Sequence, residues 1–208
     1  MQFFKIFFLL GLAAVQSLGE PIPRPGSLIA TRDEFPPTQL AKREDPPPAD
    51  QRTYVDMGQG PVREKVDKTL YTDGLSSCIA VVVIGEKNVD TASWDKIMSH
   101  ISSSLCADGD VLDLDTQLSD LFEMDGDTQY LVNRKAYVLT APDGDNAAQK
   151  AFNEYVTQKC QAHWGNDKVE RIDRDQDHVD EPGGSRLWTD GSRNTYWGVN
   201  GDLIAPAI

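Results

Sequence analysis

Residues 77 to 85 read Ser-Cys-Ile-Ala-Val-Val-Val-Ile-Gly, an almost unbroken apolar run rich in valine and isoleucine. A strand with one wet face alternates apolar and polar residues, whereas a strand covered on both faces does not. The run therefore predicts a strand in the middle of the fold, with packed layers on either side. Such a strand implies a central sheet in an α/β or α+β domain, a single small domain with flanking helices.

The surrounding chain supplies elements that could cover it. Val62, Val66 and Leu70 are spaced for a short helix or strand leading in. In Ser93 to Ile101, the residues Trp94, Ile97, Met98 and Ile101 fit one face of a helix, and a strand ending at His100 fits equally. Leu112, Leu114, Leu118, Leu121 and Phe122 suggest a loop and a short helix. Lys135 to Thr140 reads as a strand closed by a Pro142-Asp143-Gly144 turn. Asn146 is placed to cap a helix ending at Trp164 and Gly165, with an apolar stripe of Ala147, Ala151, Phe152, Tyr155, Val156 and Cys160. Lys168 to Ile172 suits a strand. Leu187-Trp188-Thr189 and Tyr196 to Val199 suit a hairpin. Tyr71-Thr72-Asp73-Gly74 and Trp188-Thr189-Asp190-Gly191 share turn chemistry and are not a repeat.

The N-terminal part is of another kind. Residues 1–19 have Lys5, an apolar stretch from Ile6 to Val15, and small residues Ser17 and Gly19 before Glu20, the pattern of a secretory signal peptide. That stretch is too short for a membrane anchor. Residues 20 to 61 hold nine of the twelve prolines, including Pro46-Pro47-Pro48, and bury little apolar surface. The pair Lys42-Arg43 inside this segment resembles a kexin-type propeptide site of fungal secreted proteins. The expected organisation is a signal peptide over 1–19, a propeptide over 20–43, a flexible proline-rich stretch over 44–61 and a globular domain over 62–208.

Removal of the first 43 residues leaves 165, enough for one domain with a real core, at a net charge of −15. That charge argues against nucleic-acid partners and anionic membranes and favours a soluble monomer, with a basic partner as the complement. No Asn-X-Ser/Thr acceptor occurs. The expected location is extracellular.

Three cysteines remain, at 78, 106 and 160, and an odd number in a secreted chain leaves one free or paired between molecules. Counting allows every pairing. Cys78 opens a buried run while the others flank exposed segments, so a Cys106–Cys160 bridge with Cys78 free is the expectation. A free thiol where a Gly74-containing turn meets a strand, with His100 downstream, is a candidate nucleophile. The alternative is an ordinary buried cysteine.

Leu75-Ser76-Ser77-Cys78, with Gly74 four residues before the cysteine, resembles the Cys-His glutamine deamidases. These include the bacterial chemoreceptor glutamine deamidases and the cytotoxic necrotizing factor toxins. Thr72 stands six residues before Cys78, where the chemoreceptor enzymes carry a threonine that orients the histidine, and Met98-Ser99-His100-Ile101 looks like their histidine segment. The similarity spans about thirty residues, Leu70 to Ile101, and the 22-residue gap from Cys78 to His100 exceeds the family's usual spacing. It implies a secreted amidohydrolase acting on a glutamine side chain of a protein substrate, with no cofactor. Cys78 would be nucleophile, His100 base and Thr72 its orienter. Thiolate attack suits a poor carboxamide electrophile, and the histidine would protonate departing ammonia. The rival expectation is a non-catalytic secreted effector or binding protein in which Cys78 is core.

Other signals are weaker. His163 near a helix end favours a cation there. His178 lies in an acidic stretch that lacks the glycine and glutamate of a calcium loop, and so reads as solvated. Asp108-Gly109-Asp110 and Asp125-Gly126-Asp127 read as turns. Phosphate-loop, zinc-spaced and dinucleotide motifs are missing from the sequence.

N-terminal sequencing of the secreted protein is expected to find Glu44 first. A start at Glu20 in cells with active kexin-type protease would contradict the propeptide reading.

Overall fold

The run that opened the sequence reading becomes β4 (Ile79–Lys87), and Ile79 through Ile84 are all fully buried. The computed structural model describes residues 45–65, 67–87, 94–103, 112–127, 131–174, 185–198 and 200–208. The signal peptide, the propeptide with Lys42 and Arg43, Cys106 and His178 lie outside the described residues. No helix among the described residues is long and apolar enough to cross a membrane.

The described residues form two five-stranded sheets and two α-helices, a mixed α/β small domain. The other strands are β1 (Arg52–Tyr54), β2 (Val62–Glu64), β3 (Thr69–Thr72), β5 (Lys96–Ile101), β6 (Leu131–Thr140), β7 (Val169–Asp173), β8 (Leu187–Thr189), β9 (Thr195–Trp197) and β10 (Asp202–Ala205). The helices are α1 (Leu114–Asp127) and α2 (Ala147–Trp164). One sheet runs β2-β5-β4-β6-β7 and the other β1-β3-β8-β9-β10.

Alternation along β4 assigns its side chains to two cores. Ile79, Val81 and Val83 join Ile97, Ile101, Leu118, Leu121, Phe152 and Val156, beneath the helices. Cys78, Ala80, Val82 and Ile84 join Leu70, Met98, Leu187 and Trp197, between the sheets. The β4 sheet is therefore the central layer, with helices on one face and the second sheet on the other.

The ambiguous segment before His100 is a strand. All six residues of β5 are buried, and β5 pairs antiparallel with β4, setting Ala80 opposite His100 and Val82 opposite Met98. A helix there would have left β4 with an unpaired edge. Helix α2 has the expected ends: Asn146 accepts from the N–H groups of Ala148 and Gln149, and Gly165 closes it at a φ of 93°. Its buried stripe differs from the expected one. Gln149, Asn153 and Thr157 are buried with Phe152, Val156 and Cys160, while Ala147 and Ala151 are exposed. Gln149 Nε2 reaches the Ser77 carbonyl (3.0 Å) and Asn153 Nδ2 the Ala141 carbonyl (2.7 Å), so hydrogen bonds draw the polar residues inward. Helix α1 runs through Asp125-Gly126-Asp127, expected as a turn. Asp125 is held inside by Trp164 Nε1 at 2.8 Å and by Arg134.

The two Thr-Asp-Gly segments end neighbouring strands: β3 and β8 pair antiparallel, with Tyr71 opposite Trp188. Their aspartates act differently. Asp190 accepts from the Ser192 and Asn194 N–H groups inside the β8–β9 hairpin as well as from the Tyr196 hydroxyl, whereas Asp73 accepts from the Tyr54 and Tyr71 hydroxyls.

Ile97 is fully buried beneath the helices. Ile97→Ala is expected to cost about 2–5 kcal/mol in a urea unfolding series through lost burial and a residual cavity. A loss under about 0.5 kcal/mol, the range of surface substitutions, would contradict this packing.

Candidate functional site

The turn before β4 is pinned from several directions. Gly74 at a φ of 72° bends the chain after β3, a conformation that favours a residue without Cβ. Leu75 donates its N–H to Ser185 O (3.2 Å). Gln149 holds the Ser77 carbonyl from the helix side. Arg174, just past β7, donates from Nη1 to Leu75 O (2.6 Å) and from Nη2 to Cys78 O. Its guanidinium lies 4.7 Å from the Trp197 ring centroid.

Across the strand pair, His100 projects between the sheets on the same face as Ala80 and Cys78. Its Nδ1 is 2.8 Å from Thr72 Oγ1 on β3, and that hydroxyl is 2.8 Å from Val55 O. The hydroxyl's single proton goes to the Val55 carbonyl, which has none of its own. The hydroxyl oxygen therefore accepts from Nδ1–H, and the other ring nitrogen, Nε2, keeps its lone pair. Nε2 is buried and has no hydrogen-bond partner among the described residues. Burial, aided by the nearby Arg174 cation, lowers the His100 pKa to about 4. The ring is thus a neutral imidazole with an open basic nitrogen.

The cysteines are arranged otherwise than expected. Cys78 is bonded in a disulfide and fully buried, with its sulfur 3.6 Å from Met57 Sδ. Cys160 is a free, buried thiol whose pKa burial raises to about 12. The Cys106–Cys160 bridge is therefore not formed, and Cys78 is not the free thiol. Cys160 does not flank an exposed segment; it faces the core from α2, beside Phe152 and Val156. Cys106, the third cysteine, lies outside the described residues. A bridged sulfur has no thiolate with which to attack, so in this state Cys78 is no nucleophile.

His100 and Thr72 are brought together with the Cys78 strand, while His163 sits apart. His163 stacks on Phe122 with ring centroids 4.3 Å apart, and its Nε2 is 3.6 Å from Asp125 Oδ2. It thus contacts α1 from the last turn of α2. It borders a cleft of about 520 Å³ lined by Asp125, Asn133, Arg134 and Lys168, away from Cys78.

Sequence reading missed Arg174. It is 4% exposed, and no carboxylate among the described residues lies within ion-pair distance of it. Its Nε has no hydrogen-bond partner among the described residues, and burial lowers its pKa to about 9. It opens the acidic stretch around His178 that reads as solvated, and nothing local announces that it turns inward. Among the described residues, no group of acidic, cysteine or histidine side chains could hold a metal ion.

Comparison with protein-family models and with curated proteins finds no match to this chain.

The neutral His100 has a consequence for stability. Its folded pKa of about 4 lies below the ordinary 6.5, so the unfolded chain takes up a proton first as pH falls. No contribution exists above pH 6.5. Destabilisation grows from there down to about pH 4, reaching roughly 3 kcal/mol at about 1.4 kcal/mol per pH unit. Urea midpoints at pH 7.5 and 5 are expected to fall further apart in the parent protein than in His100→Asn. Equal separations would contradict the neutral, buried imidazole.

Proposed function

We propose that this chain is a secreted protein that acts by binding, as an effector or surface-binding module, with Cys78 a structural part of its core. The observation that carries the reading is the state of that cysteine: bridged and sealed from solvent. The excess of acidic over basic residues favours a partner with a basic surface. Steering of this kind weakens with salt.

A second reading is favoured by one observation, the hydrogen bond between Thr72 and His100. It leaves Nε2 as an open base on the face that carries Cys78, the arrangement a Cys-His amidohydrolase acting on protein glutamine needs. That reading requires a reduced Cys78 and a path for substrate to a site that is closed here.

Ammonia release separates the two. The mature protein is incubated with a glutamine-bearing protein, with and without prior mild reduction. The binding reading expects no release in either case and no change on Cys78→Ser. Release after reduction, abolished by Cys78→Ser and nearly so by His100→Ala but not by His163→Ala, would replace it with the amidohydrolase reading.

A further inference from the structure

The cleft of about 520 Å³ beside His163 is built around one carboxylate. Asp125, near the end of α1, is 1% exposed. It accepts from Arg134 on β6 and, at 2.8 Å, from Trp164 Nε1 at the end of α2, and His163 Nε2 lies 3.6 Å away. Lys168 joins the lining from just before β7, its carbonyl fixed by the Ala136 N–H (2.8 Å). The β6 side of the lining is shaped as closely. Asn133 sits at a left-handed φ of 51° with its amide on Glu86 Oε2 (3.0 Å), next to the shift of register between β4 and β6. A Cβ on Gly85 would stand 3.1 Å from Leu131 Cβ and 3.2 Å from Val132 O, so a larger residue there would press on that wall. Bulges that re-aim side chains, and uncommon backbone states such as this one, recur beside binding sites.

Arg134 spends one N–H on Asp125, and that pair is neutral. The guanidinium carries further donors, on a side chain that is 32% exposed. An arginine paired on one edge and open on the other can hold a second carboxylate, whose geometry its fork matches. With Arg134 and Asp125 offsetting each other, Lys168 supplies the remaining charge. Its contact with Asp167, 3.8 Å between exposed side chains, is too long for a hydrogen bond and contributes little. The exposed Val132 and the Trp164 indole add apolar surface. We propose that this cleft binds an organic monocarboxylate, with its carboxylate on Arg134 and Lys168 and its apolar body against Trp164 and Val132. One surplus cation matches one negative charge, not the two of a phosphate. The volume lies in the usual range of small-molecule sites and exceeds what a carboxylate alone fills, so the ligand has a body. A free small acid and the C-terminal carboxylate of a partner chain offer this same chemistry.

The site shares no residue with the Cys78 region, so its occupancy is independent of the binding reading and of the state of that cysteine. The mature protein, labelled with nitrogen-15, is titrated with four probes and followed by the indole N–H resonance of Trp164, assigned from its loss in Trp164→Phe. The probes are phenylacetate, an N-acetylated tripeptide ending in phenylalanine with a free carboxylate, the same peptide as its C-terminal amide, and phenyl phosphate. A saturable shift with a Kd of about 1 mM or tighter is expected for at least one of the two carboxylates. Tighter binding of phenylacetate identifies a free small acid as the ligand class, and tighter binding of the peptide identifies a chain terminus. Lys168→Gln, a change at an exposed side chain, is expected to weaken binding about tenfold. Arg134→Lys keeps a cation beside Asp125 but loses the fork, and is expected to lose affinity too. The proposal is overturned by the absence of a saturable shift with either carboxylate, or by an equal response to the peptide amide. Tighter binding of phenyl phosphate, or parental affinity in Lys168→Gln, overturns it as well.

Discussion

Burial of β4 on both faces is the constraint from which the architecture follows. A strand with no wet face cannot sit at an edge, so β5 and β6 must flank it and satisfy its backbone. Its odd-numbered side chains need a cover, which α1 and α2 supply; its even-numbered ones need another, which the β1-β3-β8-β9-β10 sheet supplies. Three layers result. The N-terminal end of β4 then falls where the turn from β3, the end of β7 and the start of α2 converge.

That convergence explains why polar groups collect at one buried place. The turn carrying Leu75, Ser77 and Cys78 has carbonyls that no ladder satisfies, and inside a core each must find a donor. Arg174 and Gln149 provide them, and Thr72 ties His100 to Val55 across the two sheets. Burial at this place holds the His100 imidazole neutral, and the Arg174 guanidinium beside it has no carboxylate partner among the described residues. The electrostatics around Cys78 are therefore a by-product of closing the turn, whatever use the protein makes of them.

Much of this was legible in the residues. The valine-rich run, the Asn146 and Gly165 ends of α2 and the Leu187 to Trp197 hairpin each carry a local signal that tertiary context does not override. Strand β10 (Asp202–Ala205) carries none: four residues of mixed polarity that pair with β9 through a register shift. The inward turn of Gln149, Asn153 and Thr157 was hidden because it answers to carbonyls far away in sequence. The contact of Thr72 with His100 was implied only by the resemblance to the glutamine deamidases, since nothing in the residues alone joins positions 28 apart. The cysteine pairing did not, because three cysteines allow every bridge and Cys160's burial depends on which face α2 presents. Arg174 lies in an acidic run whose local pattern points to solvent.

The central claim is that the sulfur at the head of β4 is held in a bridge and that α2 carries the spare thiol. Peptide mapping of the unreduced, denatured mature protein after alkylation tests this most directly. The account predicts that the Cys160 peptide is alkylated and that the Cys78 peptide is recovered in disulfide linkage. An alkylated Cys78 with Cys160 joined to Cys106 would contradict it.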